Sequence, residues 1–210
     1  VPLATDSFEP SPFADNPSIL SSPPGADASL TITDTSLLTA SDYRLESLAS
    51  GFEISLDSFD CGDENYNDWL AKNALSATKA GTSAVYLLIE KTLESECVAG
   101  YFAICPTMIV RDAMPNSFHR GSISETPGWL LTKLAVSAHL RGTHVGAQLL
   151  REALIKIAVS SESGGGRVIA VDAGNPKLIG WYEARGFKSA GQGSNRLFMK
   201  VKTARKYLVD

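Results

Sequence analysis

The chain has 210 residues, of which 44% are hydrophobic and 20% charged, a composition typical of one globular domain with an appendage. No apolar run approaches the roughly 18 residues of a membrane-spanning helix, and the first residues lack the basic and apolar regions of a signal peptide. Three scattered cysteines and three scattered histidines fit neither a CxxC motif nor a zinc site, so we expect reduced thiols, no metal and a cytoplasmic protein.

The charge is distributed unevenly. Residues 1–43 are rich in Ser, Pro, Ala and Asp and contain six acids but no Lys or Arg. We expect this extension to be disordered or loosely packed, because it cannot bury enough apolar surface to offset its ordering entropy. From residue 65 onward, 18 bases exceed 11 acids by 7. A basic domain over 44–210 suits anionic ligands, although a single basic run is more often a solvated surface.

The first predicted elements of the domain are helices and two strands. Ser41 or Asp42 is placed to cap a short helix near YRLESLASG. In FDCGDENYNDWLAKNALSATKAG, apolar residues recur at helical spacing and Gly81 ends the helix; these residues are Tyr66, Trp69, Leu70 and Ala74. SAVYLLIEK and CVAGYFAIC predict two strands joined by a charged turn, and a long polar connection, PTMIVRDAMPNSFHRGSISETPG, leads to a third strand, WLLTKLAVS.

The second half of the domain alternates strands and helices. The loop LRGTHVGAQLL, residues 140–150, opens a helix whose buried stripe is Leu150, Ala153, Leu154, Ile157 and Ala158, and SGGG ends it. RVIAVDA predicts a strand, NPKLIGWYEARG a short helix ended by Gly186, and RLFMKVK a last strand. This order predicts an α/β (α+β) fold with a mixed sheet and no internal repeat.

The loop LRGTHVGAQLL has features of an anion site. Amides at a helix start have no intrahelical partners, and the helix dipole favours negative charge there. Gly146 and Ala147 are small enough for a phosphate to approach the backbone. No GK[ST] is present, which excludes a Walker loop. By itself, a plain strand-to-helix turn explains this loop about as well.

A second motif strengthens the case. NPKLIGWYEARGF, residues 175–187, together with LTKLAVSAHLRGTHVGAQLL, resembles the two signature regions of the GNAT acyltransferase superfamily, and the order of elements agrees over residues 52–201. The resemblance implies a GNAT fold, with a mostly antiparallel mixed sheet, splayed central strands and flanking helices. It also implies acetyl-coenzyme A as cofactor.

The resemblance implies which residues bind that cofactor. Backbone amides of an R/Q-x-x-G-x-G/A loop bind the pyrophosphate, here Arg141, Gly142, Thr143, His144, Val145, Gly146 and Ala147. The pantetheine arm pairs with the strand at Leu134, Ala135 and Val136, and Asn175 hydrogen-bonds it. His144 replaces the middle glycine of the pattern. Its imidazole either points outward, or contacts a phosphate when protonated, or abolishes cofactor binding.

The resemblance also implies a catalytic role for Tyr182. A phenol with a pKa of ~10 keeps its proton at neutral pH and can protonate the departing thiolate as a general acid. The amide of Ala135 or Val136 is the expected oxyanion donor. The alternative for Tyr182 is aromatic packing beside Trp181.

The acceptor side has weaker candidates. Asp112, His119 and Glu125 lie in the long connection and are candidate bases, but each also fits a surface residue. Cys105 is either an acetyl carrier in a ping-pong scheme or a small core residue. The family implies direct transfer within a ternary complex.

Three stretches indicate the acceptor: FDCGDENYNDWLAKNA, VAGYFAI and RDAMPNSFHRGSISETPGWLLTKLAVS. They resemble tRNA-acetylating GNAT toxins of toxin–antitoxin systems, which implies charged tRNA as acceptor, an antitoxin partner and a homodimer. Because Lys and Arg supply most sequence-independent affinity for nucleic acid, the expected tRNA contacts are Arg111, Arg120, Lys200 and Lys202, followed by Lys188, Arg196, Arg205 and Lys206. The acidic extension is then a competitor for this basic face.

Two other functions stay open. One is a small-molecule or protein N-acetyltransferase, which a neutral or acidic acceptor cleft would indicate. The other is a non-catalytic module that binds acetyl-coenzyme A or a partner protein.

Overall fold

The computed structural model describes residues 43–51, 53–91, 95–191 and 193–208. The predicted acidic extension, apart from Tyr43, lies outside these residues. Its predicted competition for the basic face therefore stays a prediction. No helix in the described ranges is long and apolar enough to cross a bilayer.

In these described ranges, seven strands form one sheet in the order β1-β2-β3-β4-β5-β7-β6. The strands are β1 (Tyr43–Ser47), β2 (Ala84–Lys91), β3 (Glu96–Val110), β4 (Glu125–Val136), β5 (Val168–Asp172), β6 (Lys188–Ser189) and β7 (Arg196–Lys200). Among the described strands, β4 and β5 pair in parallel and the other neighbours pair antiparallel. The predicted mixed, mostly antiparallel sheet is therefore confirmed.

The helices cover both faces of the sheet. They are α1 (Glu64–Lys72), α2 (Ala74–Lys79), α3 (Val145–Gly164), α4 (Pro176–Glu183) and α5 (Val201–Ala204), with 3-10 turns at Leu48–Ser50, Arg111–Ala113, Asn116–Phe118, Ala138–Leu140 and Arg205–Leu208. The predicted apolar stripe of α3 is buried, and this helix packs with α4 and α5 on one face. Helices α1 and α2 and the segment 111–122 cover the other face.

Two segments that the sequence predicted as a helix and as a connection form strands instead. The predicted helix near YRLESLASG is strand β1, with a 3-10 turn only at Leu48–Ser50, because pairing with the edge of β2 and the Arg44–Glu96 ion pair at 2.6 Å favour an extended backbone. The predicted polar connection from Pro106 is also shorter. β3 continues to Val110 and pairs with β4 from Glu125, because two extended segments satisfy each other's backbone groups.

The helix predicted in FDCGDENYNDWLAKNALSATKAG is divided in two. Asn73 separates α1 from α2 with a φ of −116°, and its amide still bonds to the Trp69 carbonyl. Gly81, at φ +70°, follows α2 as predicted, and Gly165, at φ +74°, caps the end of α3 within the SGGG run.

A β-bulge in β4 creates the opening that positions the site. Ile104 pairs with Leu131 while the adjacent Ala103 pairs with Lys133, so Thr132 is the extra residue. The pairing of β4 with β5 ends at Leu131. Residues 133–136 of β4 therefore pair with β3 on one side and leave the other side open, and β4 and β5 diverge beyond the bulge. The predicted splay of the central strands is confirmed.

Candidate active site

The gap between β4 and β5 opens into a groove of about 830 Å³. Its lining consists of residues 60–67 before and within α1, residues 134–136 of β4, Arg141, Gly174, Asn175 and Leu178. The structure thus brings five predicted cofactor residues together: Leu134, Ala135, Val136, Arg141 and Asn175.

The exposed edge of β4 has amides that face the gap. Ser137 donates its amide to the Ala99 carbonyl of β3 at 2.8 Å. Because successive residues of a strand point their N–H groups to opposite sides, the Ala135 amide also faces β3, whereas those of Leu134 and Val136 face the open side. Of the two predicted oxyanion donors, Val136 is the one directed into the groove.

The loop before α3 leaves alternate amides without partners. Arg141 N and Thr143 N donate to the carbonyls of Ala138 and Leu140, and Val145 N donates to the Thr143 hydroxyl. In the described part of the chain, the amides of the intervening residues Gly142, His144 and Gly146 have no acceptor. They adjoin the start of a 20-residue helix, where the helix dipole favours an anion.

His144 occupies the motif position without backbone strain. Its φ of −77° and ψ of −9° lie in the right-handed helical region, and its imidazole is exposed. The residue of this loop that needs to be glycine is Gly142, at φ +77°. The motif glycine is therefore replaceable here, because its position requires no positive φ.

Residues 60–67 close the groove on the α1 side. The Asp60 carboxylate accepts bonds from Gly62 N at 2.6 Å and from the Asn67 amide at 3.0 Å, and these bonds lower the pKa of Asp60. The Arg141 guanidinium donates to the Cys61 carbonyl and lies against Gly62. Sequence reasoning missed this loop, because its contribution depends on a contact across 80 positions of the chain.

Tyr182 lies deeper, on the groove face of α4. Asn175, Leu178 and Tyr182 follow one another at helical spacing, so they share one side of the helix. The Tyr182 ring is 5% exposed and packs edge-on against Trp181 and Phe187, with ring centroids 4.9 Å and 5.3 Å away. Burial raises the pKa of Tyr182, and Tyr66, which lines the groove, raises it further. The phenol is therefore held in its protonated form.

The model of the acetyltransferase (GNAT) family matches residues 48–187, which span most of the domain and this groove. The chain belongs to the GNAT family.

Several related proteins share this domain with the chain. A tRNA-acetylating toxin of Mycobacterium tuberculosis strain H37Rv is 27% identical over 153 residues, which cover 73% of this chain and 90% of that protein. Among solved structures, AtaT complexed with acetyl-methionyl-tRNAfMet is 27% identical, with a TM-score of 0.71, covering 80% of this chain and 99% of that one. AtaTR bound with AcCoA is 28% identical, with a TM-score of 0.68, covering 80% and 98%.

The groove fits the cofactor of a GNAT enzyme. Three partnerless amides at the start of α3 match a diphosphate, and the unpaired edge of β4 matches the amide groups of a pantetheine arm. The Asn175 carboxamide oxygen caps α4 by accepting from Lys177 N and Leu178 N at 3.0 Å and 3.2 Å. Only its NH₂ group is left to donate toward the groove.

The structure does not bring the candidate bases to the GNAT groove. Glu125 starts β4, eleven residues before Val136, on the order of 30 Å away along the strand. Asp112 and His119 belong to the same end of the sheet, where a ring nitrogen of His119 lies 3.0 Å from the Met114 carbonyl. Cys105 is half-buried in β3, opposite Leu130, and lines neither the groove nor its rim.

Some of the predicted tRNA contacts lie at one cleft, and the others lie elsewhere on the domain. Lys200, Lys202 and Arg205 line a separate cleft, and Arg120 lies beside it. Arg196 is paired with Asp172 at 2.7 Å, while Arg111 lies in a 3-10 turn and Lys188 in β6. Sequence reasoning missed Arg167, which the fold brings into the cleft with the lysines.

Proposed function

We propose that this chain transfers an acetyl group from acetyl-coenzyme A to the primary amine of the aminoacyl group on charged tRNA. The observation that carries the proposal is the open edge of β4 at 134–136 beside the partnerless amides of Gly142, His144 and Gly146. Two related proteins add support: the Mycobacterium tuberculosis relative is a tRNA-acetylating toxin, and AtaT is found with acetyl-methionyl-tRNAfMet.

In this proposal, acetyl-coenzyme A supplies a thioester, and the protein supplies its orientation. The amides of Gly142, His144 and Gly146 hold the diphosphate, and the Leu134 amide binds along the pantetheine arm. His144 acts through its backbone, with its imidazole directed to solvent. Arg141 keeps the loop 60–67 against the cofactor.

Two groups act on the reacting atoms. The Val136 amide donates to the oxygen that gains negative charge when the amine attacks. Tyr182 gives its phenol proton to the departing sulfur, the nitrogen loses one proton to water as the amide forms, and water returns a proton to the phenol. Burial favours the protonated phenol at neutral pH. Transfer is direct, since Cys105 lies outside the groove and the amine attacks the thioester carbon itself.

One observation favours a second candidate. Three acids line the groove on the α1 side, Asp60, Asp63 and Glu64, and such a rim attracts a small cationic amine. However, Asp60 bonds to Gly62 and Asn67, and Asp63 caps α1 through Asn65 N at 3.0 Å. Because these two carboxylates stabilise the loop itself, charged tRNA is the first candidate and a small-molecule or protein amine the second.

An acceptor screen with labelled acetyl-coenzyme A tests the proposal. We expect label on the aminoacyl group of total charged tRNA and little on polyamines or peptide amines. Label on those amines alone would establish the second candidate. Absence of transfer to any acceptor, with the cofactor still bound, would favour a non-catalytic binding module.

The cellular setting belongs to the same proposal. We propose a cytoplasmic homodimer that an antitoxin binds. The antitoxin part is supported by the similar AtaT toxin, which is found bound to the C-terminus of the antitoxin AtaR. Size-exclusion chromatography with light scattering measures the dimer, and a monomeric mass at micromolar concentration would contradict it.

A further inference from the structure

A second cavity, which we call the basic cleft, lies at the opposite end of β5 from the groove. It measures about 370 Å³ and is lined by Phe118, Ser122, residues 166–168, residues 200–202 and Arg205. Val168 begins β5 at the cleft, while Gly174, just past the end of β5, lines the groove. Six residues of extended chain separate the two places, about 20 Å.

Among the residues that the structure describes, four cations and no acid line the basic cleft. The cations are Arg167, Lys200, Lys202 and Arg205. Within the described ranges, none of them forms a salt bridge, whereas Arg44 and Arg196 pair with carboxylates elsewhere on the surface. Like charges that no carboxylate neutralises repel one another, and a bound anion would relieve that repulsion.

Contacts with neighbouring residues orient two of these cations. The Arg167 guanidinium donates to the Arg120 carbonyl at 3.2 Å. Lys200 Nζ lies 5.2 Å from the centre of the Phe118 ring, and Phe118 is buried. These contacts hold the charges at fixed places and reduce the side-chain entropy lost when a ligand binds.

The chemistry selects a ligand with several separate negative charges. Arginine and lysine together bind phosphate oxygens, the former through a planar fork and the latter as a point charge. A single carboxylate neutralises only one of the four cations. A polynucleotide spaces its phosphates along a chain, so it can occupy the basic cleft and still reach the groove.

We propose that the basic cleft binds backbone phosphates of the tRNA whose aminoacyl end lies in the groove. This inference rests on the proposed function. Lys200 lies on the same face of the sheet as Phe118 and α1, which is the face that the loop 60–67 borders. The cleft therefore holds the substrate at a distance from the reacting amine and contributes to affinity rather than to chemistry.

The double variant Arg167→Gln/Arg205→Gln tests the cleft. For charged tRNA we expect kcat/KM to fall at least tenfold, with kcat and the KM for acetyl-coenzyme A unchanged. The slope of log affinity for tRNA against log salt should become shallower by about two, since each lost phosphate contact removes about one.

The matched control is Lys79→Gln/Lys91→Gln, which removes the same charge from exposed positions on α2 and β2. Its tRNA kinetics should equal those of the wild type. If Arg167→Gln/Arg205→Gln unfolds at a lower temperature than the control, Lys202→Gln/Arg205→Gln replaces it, because both of those side chains are exposed.

Binding of uncharged tRNA, measured by fluorescence anisotropy, assesses the cleft separately from catalysis. Wild type that binds tRNA but acetylates no charged tRNA would contradict the proposed function, while weaker binding by the cleft variant alone would still support the cleft. Equal tRNA binding and kinetics in the cleft variant and the control would overturn the inference. A cleft variant that binds duplex DNA more weakly than the wild type but binds tRNA equally well would also overturn the inference.

Discussion

The burial of Tyr182 bears on both its packing and its proposed role as a general acid. Its ring packs between Trp181 and Phe187, and the same burial raises the pKa of its phenol. The packing alternative and the catalytic role are therefore compatible. The rate should show no alkaline decline from ionisation of this phenol below a pH of about 10.

Replacing Tyr182 with Phe separates the two roles. The ring remains, so we expect the free energy of unfolding to change by no more than about 1 kcal/mol, the usual net contribution of one hydroxyl's hydrogen bonding. Loss of the general acid should lower kcat about 10²- to 10⁴-fold with acetyl-coenzyme A still bound. Steady-state kinetics and calorimetric titration of the cofactor measure both effects.

Tyr207→Phe is the control, because Tyr207 is also partly buried and lies in the last 3-10 turn, outside the groove. It should leave kcat unchanged. A Tyr182→Phe enzyme with wild-type turnover would leave Tyr182 only its packing role.

At the scale of the element, β4 depends on a close approach by its neighbour β3. Gly100 pairs with Val136, and a Cβ at this position would lie 2.9 Å from the Ala135 carbonyl oxygen and 3.1 Å from Leu149 Cδ2. The space there is filled by the backbone of the strand that faces the cofactor. A side chain at Gly100 must therefore displace the end of β4.

Gly100→Ala should weaken cofactor binding through that displacement. We expect a loss of about 1–3 kcal/mol in stability from overpacking and a several-fold higher KM for acetyl-coenzyme A. Gly180→Ala provides the control, since no atom lies within 4 Å of a Cβ at that exposed position of α4. It should stabilise the helix by about 0.5–1 kcal/mol. A Gly100→Ala protein with wild-type KM would show that the 134–136 backbone is not part of the cofactor site.

For the whole molecule, the groove joins parts that are distant in sequence. The loop 60–67, the end of β4, Arg141 and the start of α4 meet only in the folded chain. A ligand that binds this groove stabilises the native state alone, because the unfolded chain has no such arrangement.

Acetyl-coenzyme A should consequently raise the thermal midpoint. At 100 times its Kd the expected stabilisation is about 2.7 kcal/mol, or roughly 5–10 °C for a domain of this size. Acetyl-pantetheine at the same concentration should give a smaller shift, because it lacks the diphosphate for the amides of Gly142, His144 and Gly146. Differential scanning fluorimetry measures both, and an unchanged midpoint with acetyl-coenzyme A would end the case for an acetyltransferase.

Local patterns in the sequence were sufficient for much of the fold. The α3 stripe from Leu150 to Ala158, the ends at Gly81 and Gly165 and the central strands follow from periodicity and backbone preferences, which act between near neighbours. The likeness to the GNAT motifs predicted eleven cofactor residues, and five of them line one groove: Leu134, Ala135, Val136, Arg141 and Asn175.

Only the tertiary structure decided the rest. Strand β1 forms because β2 offers an unpaired edge, and β3 extends to Val110 because Glu125 begins a strand opposite it. Arg141 meets Cys61, and Arg167 joins Lys200, through contacts between segments far apart in the chain. Such contacts leave no periodic signal in the sequence, since their energy depends on which surfaces the folded sheet brings together.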